Sequence, residues 1–181
     1  MKNYYLILLL TLMSFPAFSQ DEPQDIDGTI NKNEVKLNAL YMVLGAFEGS
    51  YEYLLNDESG LGITLFIPFD KEVKDDINYY MSPYYRFYFG NKYAAGFFLE
   101  GFGMLNSTNW RRYEVVNESG TTIKQDNVTD FALGVGLGGK WVTKRGLIGE
   151  INFGVGRNLF NSTDYDNDFV SKLGITVGYR F

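Results

Sequence analysis

The chain has 181 residues, a net charge of −6, and neither Cys nor His. That length suits one domain, and the acidic balance leaves no electrostatic footprint for nucleic acid and no basic face for anionic lipid. Without Cys there is no disulfide framework, thiolate site or lipid-bearing N-terminal Cys. Without His, the commonest acid–base catalyst and metal ligand is missing.

The N-terminus reads as an address. Lys2 precedes the nearly continuous apolar run from Tyr4 to Met13, and Ser14, Phe15 and Pro16 lead to the small-residue site Ala17-Phe18-Ser19. This is the layout of a secretory signal peptide, with cleavage expected after Ser19. The run is too short for the ~20 apolar residues of a spanning helix. Residues 20–33, acidic through Asp21, Glu22, Asp25 and Asp27, read as a flexible leader. Residues 34–181 form the remaining domain.

From there the sequence is 17% aromatic with 20 Gly and only 4 Pro over the whole chain, and its dominant period is two. Eight candidate strands follow in order: 34–44, 47–55, 61–69, 79–89, 94–105, 131–141, 147–156 and 172–181. The last is the clearest. Leu173, Ile175, Val177, Tyr179 and Phe181 share one face, and Lys172, Gly174, Thr176, Gly178 and Arg180 share the other. In 131–141 the apolar set Phe131, Leu133, Val135, Leu137 and Trp141 opposes Gly134, Gly136, Gly138 and Lys140. The first segment alternates at Val35 and Leu37 against Lys36 and Asn38, then turns apolar on both faces.

Charge keeps to one face throughout. Glu48, Glu52, Glu100 and Glu150, with Lys36, Arg86, Lys140, Lys172 and Arg180, all oppose the apolar side; Arg157 breaks the parity at a strand end. Alternation alone also fits a soluble sandwich or a lipocalin-like barrel that holds an apolar ligand with its apolar face inward. Connection lengths favour a membrane barrel. Residues 56–59, 90–92 and 143–146 are tight turns, whereas 70–76, 106–129 and 161–168 are longer polar loops, with a very short first outer connection near Gly45–Phe47. Aromatics gather at strand ends, among them Tyr79, Phe89, Trp141, Tyr179 and Phe181, as interface girdles do. The expected fold is therefore all-β: a closed antiparallel up-and-down transmembrane barrel of about eight strands.

The ending Gly174–Phe181 (GITVGYRF) resembles the C-terminal assembly signal of outer-membrane barrels. The opening Lys36–Leu40 (KLNAL), with Gly49–Leu54 (GSYEYL), is similar to an uncharacterised family of small outer-membrane barrels common in Bacteroidota. The size is similar to OmpA/OmpX-type barrels. The resemblance implies the outer membrane as location. It also implies outer-membrane lipid and the barrel-assembly machinery, engaged through the strand ending in Phe181, as partners.

An eight-stranded barrel is just wide enough for side chains to fill it, so the near-balanced charges suggest a plugged lumen; a polar binding cavity is the alternative. Lys140 and Glu150 are expected to stand opposite each other across the turn and form an ion pair. Asp164, Asp166 and Asp168 have the spacing that opens a calcium loop but lack the Gly and Glu that complete it. Gly134, Gly136, Gly138 and Gly139 precede no helix and read as small lumen-facing residues rather than a phosphate loop. Glu52 and Glu100 are the only carboxylates considered for acid–base work, and structural pairing is the simpler reading for both. Residues 106–129, with Trp110, Arg111, Arg112 and Tyr113, are where a surface partner is expected. The expectation is a monomeric, non-enzymatic outer-membrane barrel without cofactor, metal or catalytic residues, serving envelope structure or surface interaction. A soluble periplasmic ligand-binding barrel and a lipid-active enzyme are the alternatives.

Overall fold

The computed structural model describes residues 31–117, 120–160 and 168–181, with residues 109–126 described by their backbone alone. The elements run β1 (Asn33–Asn38), α1 (Ala39–Leu44), β2 (Ala46–Leu54), β3 (Ser59–Pro68), α2 (Lys71–Asp76), β4 (Ile77–Phe89), β5 (Gly96–Asn117), β6 (Gly120–Val142), β7 (Leu147–Asn158) and β8 (Phe169–Arg180). Each strand pairs antiparallel with the next, and β8 returns to β1, closing an eight-stranded up-and-down barrel. The closing seam includes Asn33 and Phe181, whose backbones exchange N–H···O bonds of 3.1 and 2.8 Å.

The period of two becomes inside and outside. Val35, Leu61, Leu65, Val135, Leu137, Phe153, Leu173 and Val177 stand on the outer surface, each about half exposed or more. Their strand neighbours point inward and are buried or half-buried. This polarity is opposite to that of a soluble ligand-binding barrel, whose apolar residues line the interior. Here the exterior is an apolar belt and the interior is charged and aromatic.

All the tight turns, 55–58, 90–95 and 143–146, lie at one end with Asn33 and Phe181. The other end carries the longer connections, and there the structure corrects the sequence reading three times. First, 34–44 is not one strand: β1 stops at Asn38 and Ala39–Leu44 is a helix. Asn38 caps it, its Oδ1 accepting from Leu40 N at 3.1 Å, and Gly45 ends it at φ 98°, donating its N–H to Tyr41 O. The apolar character of both faces in this stretch marks the change of period, and the first outer connection is correspondingly longer than expected. Second, 70–76 contains α2, capped by the Asp70 side chain on Glu72 N at 2.8 Å.

Third, 106–129 is not a loop. The β5–β6 ladder continues to Asn117↔Gly120, while β4 leaves β5 at Thr108 and β7 leaves β6 at Ala132. The hairpin therefore runs past the rim as a two-stranded ribbon. Val115, Val116, Thr121, Thr122 and Ile123 supply strand-forming residues that outweigh the polar ones around them. The side chains of Trp110, Arg111, Arg112 and Tyr113, the expected signal segment 1–19, most of the expected leader 20–33, and Asp164 and Asp166 lie outside the described residues.

Candidate functional site: a luminal charge network

Among the described residues, five carboxylates and five bases of the barrel strands form a luminal network: Glu34, Glu48, Glu52, Glu100 and Glu150 with Lys36, Arg86, Lys140, Lys172 and Arg180. Their charges cancel. Strand parity delivers them all to one side, and the closed wall brings residues from distant strands into contact.

Near the short-turn end, the Arg180 guanidinium binds Glu34 at 2.7 Å and donates to the Tyr93 and Ala94 carbonyls, each at 2.9 Å, in the β4–β5 turn. Lys140 Nζ reaches Glu34 at 2.8 Å and Glu52 at 3.3 Å. Above this level Glu52 is the hub. It accepts from Lys36 at 2.5 Å, Arg86 at 3.2 Å and the Tyr84 hydroxyl at 3.1 Å, and also from the Tyr88 hydroxyl. Glu150 takes Lys36 at 3.1 Å and Arg86 at 2.7 Å. Glu100 takes Arg86 and Lys172 at 2.8 and 2.7 Å. The Arg86 guanidinium also lies over the Phe98 and Tyr84 rings, 4.2 and 4.5 Å from their centres. Among the described residues no buried side-chain polar atom lacks a partner, as a buried network needs if it is not to be destabilising.

At the upper edge of the charges, Glu48 is held by neutral donors, the Tyr80 hydroxyl and Asn38 Nδ2, the latter at 2.8 Å. Beyond it the lumen turns aromatic. Phe66 stacks on Tyr80 with ring centres 4.7 Å apart, and Phe102, Met104, Tyr84, Ala46 and Ala132 complete the cluster.

Luminal glycines make the room. A Cβ at Gly134 would lie 2.3 Å from the Phe102 ring, and one at Gly138 2.5 Å from that of Phe98. These glycines let the large side chains of the paired strand β5 lie over them, and they are small lumen-facing residues as expected from the sequence; Gly139 differs, facing outward beside Trp141.

Lys140 and Glu150 do stand opposite each other in register, but the expected ion pair is replaced by other partners. Both side chains project into a narrow lumen, where Lys140 finds Glu34 and Glu52 while Glu150 finds Lys36 and Arg86. Arg157, the parity exception, sits at the rim and pairs with Asp168 at 3.1 Å. Glu52 and Glu100 are both buried among bases. Glu34 was missed as a luminal acid although it shares the parity of Lys36. The tyrosine hydroxyls at 80, 84 and 88 were also missed, because an alternating run of aromatics does not announce that its inner members hydrogen-bond.

An apolar exterior, a closed antiparallel wall and a charge-balanced interior define a small eight-stranded barrel of the membrane-spanning kind. The chain belongs to the family described as protein of unknown function (DUF3575), whose model matches residues 5–180. No curated protein matches it. Among solved structures, the chain is similar to the N-terminal β-barrel domain of Pseudomonas aeruginosa OprF, with TM-score 0.53 and 16% identity over 83% of this chain and 98% of that one. It is also similar to neisserial surface protein A (NspA), with TM-score 0.44 and 13% identity over 83% and 95% of the two chains. A third similarity is to the Yersinia pestis outer membrane protein Ail, with TM-score 0.39 and 13% identity over 84% and 100%. At such identities the OprF likeness is one of fold.

Proposed function

We propose that this chain is a small non-enzymatic barrel of a Gram-negative outer membrane. Its lumen is closed to ion flow by the charge network, and its long-loop end serves envelope structure or surface contacts. The observation that carries the reading is the buried, mutually neutralising set of luminal charges inside an apolar belt. Lys or Arg on a lipid-facing surface costs about 2–4 kcal/mol at mid-bilayer; facing inward beside carboxylates, the five bases avoid that cost. Catalysis by Glu52 or Glu100 is disfavoured because each is engaged by at least two bases and buried from any substrate.

In this reading residues 1–19 direct export and are removed, and the short-turn end faces the periplasm. The barrel is a monomer in outer-membrane lipid, and β8 with the Phe181 that follows it is the contact for the barrel-assembly machinery. Cell fractionation with gel migration of boiled and unboiled samples tests the location. An outer-membrane protein whose mobility changes on boiling is expected, and a soluble protein with unchanged mobility would overturn the reading. Planar-bilayer recording tests the closed lumen: steady conductance from the wild-type barrel would contradict it.

A further inference from the structure

The barrel wall is not strand all the way round. β7 stays paired with β8 up to Phe169, but β1 pairs with β8 only from Asn38↔Thr176 downward. Above that level the β1-facing edge of β8, at Ser171, Leu173 and Ile175, has α1 beside it instead of a strand. A tilted strand climbs roughly 2.5 Å per residue along the barrel axis, which places Leu173 about 20 Å above Phe181, inside an apolar band ~25 Å tall. An open sheet edge is not tolerated in hydrocarbon, whereas a helix bonds its own backbone. α1 accordingly turns Met42, Val43 and Leu44 outward, all exposed, beside the outward Leu173 and Ile175.

The junction hangs on one side chain. Asn38 Nδ2 donates to Leu173 O at 3.1 Å and Glu48 Oε1 at 2.8 Å; its Oδ1 accepts from Ile175 N at 3.3 Å and Leu40 N at 3.1 Å. Its full capacity of two donors and two lone pairs is used, and it replaces one residue of the missing strand. On its inner side α1 supplies Tyr41, which packs edge-on against Phe66 with centres 5.2 Å apart, and Phe66 belongs to the apolar luminal cluster. Elsewhere a paired strand separates lipid from lumen; here a six-residue helix and its own Tyr ring do.

We propose that the seam formed by α1 between β2 and β8 is a lateral entry site for a lipid acyl chain, which displaces α1 and lies against Phe66, Phe102 and Met104. The charged half of the lumen stays shut behind a complete wall. The proposal rests on the membrane-barrel reading above.

Methionines outside the signal segment stand at 42, 81 and 104, on α1, on the outer face and in the outer lumen. Photo-methionine is incorporated at these positions, and the barrel is refolded into dilauroyl-phosphatidylcholine vesicles and irradiated. Adducts are then located by mass spectrometry. Met81 reports insertion itself: if it captures no lipid, the membrane reading fails and the seam fails with it. With Met81 labelled, acyl adducts are expected at Met42 and Met104, and none at a Leu54→Met probe in the short-turn half of the lumen. Asn38→Ala should raise the Met104 yield about tenfold, the effect of ~1.4 kcal/mol on the opening equilibrium. If that variant does not fold, the contrast between Met104 and Leu54→Met in the otherwise natural chain decides alone. A Met104 yield no higher than that of Leu54→Met, a silent Met42, or a protein–protein adduct at Met42 that marks a second copy would each overturn the proposal.

Discussion

Replacing Glu52 by Gln removes a negative charge from the point where three bases converge. Lys36 keeps Glu150 at 3.1 Å and Glu34 at 3.6 Å, Arg86 keeps Glu150 and Glu100, and Lys140 keeps Glu34 at 2.8 Å. No base is stranded outright, yet the lumen becomes net positive and the Tyr84 and Tyr88 hydroxyls exchange a carboxylate for an amide. Removing one partner of a buried pair costs roughly 3–5 kcal/mol. The shared partners place Glu52→Gln at the lower end, about 3 kcal/mol.

The assay is urea unfolding of the barrel refolded in vesicles, read as loss of the compact species in unboiled gel samples. With a urea slope of about 1–3 kcal/mol per molar, the midpoint should fall by roughly 1–3 M. The double variant Glu52→Gln/Lys140→Met restores neutrality and should recover at least half of that loss, since a well-packed apolar replacement of a buried pair is often neutral. A loss within ~0.5 kcal/mol for Glu52→Gln, the range of an ordinary surface substitution, would refute the network as a stabilising element. So would a double variant no better than the single.

Four further outcomes follow from the same geometry. Gly138→Ala places a Cβ 2.5 Å from both the Phe98 ring and the Ile151 carbonyl, and should lower stability by about 1–3 kcal/mol through overpacking, measured by the same unfolding assay. Leu65→Arg puts a cation on the lipid face and should cost ~2–4 kcal/mol; refolding yield in vesicles checks it, with little change in detergent of short chain length. Replacing residues 110–125 by a two-residue turn should leave heat-dependent mobility intact, because β4 and β7 hold the hairpin only below Thr108 and Ala132. Extending that deletion to Asn106 and Asp130 should impair folding, since Asn106 bonds Asn158 at 2.9 Å and Asp130 binds the Phe160 N–H at 3.1 Å.

The barrel was legible from residue parity because a regular strand sends alternate side chains to opposite faces, a rule interrupted locally, as where β4 and β5 slip register near the rim. That rule alone assigns Lys36, Glu52, Arg86, Glu100, Lys140, Glu150, Lys172 and Arg180 to one face, which is the interior. It could not choose their partners. Register names the neighbour within the sheet, as it did for Lys140 and Glu150, but luminal contacts cross the barrel and depend on closure, which no local pattern encodes. Glu34 escaped because it opens a strand, where one residue of context leaves no alternation to read. α1 escaped for a different reason: six apolar residues are too few for a 3.6-residue period to show itself, and only the Asn38 and Gly45 caps distinguish the stretch from a strand end. The ribbon was misread because Asn, Asp and Gly around the tip are loop formers, while the pairing that orders it is non-local.

The ten luminal charges also explain why this chain closes in a single register. An apolar lumen of similar volume would hold together as well or better, because replacing buried ion pairs with packed hydrophobic residues is often stabilising. It would not discriminate between registers, since slipping one residue would exchange one apolar face for another. With charges inside, the same slip turns each displaced strand's charges onto lipid, at about 2–4 kcal/mol for every Lys or Arg near mid-bilayer. Seven of the eight strands carry at least one of these residues: β1 (Glu34, Lys36), β2 (Glu48, Glu52), β4 (Arg86), β5 (Glu100), β6 (Lys140), β7 (Glu150) and β8 (Lys172, Arg180). The exception is β3, where the same task falls to shape. Gly62 leaves room for Tyr84, whose ring a Cβ there would meet at 2.3 Å, and Phe66 stacks on Tyr80. In β3 a slip is resisted by lost fit rather than by stranded charge.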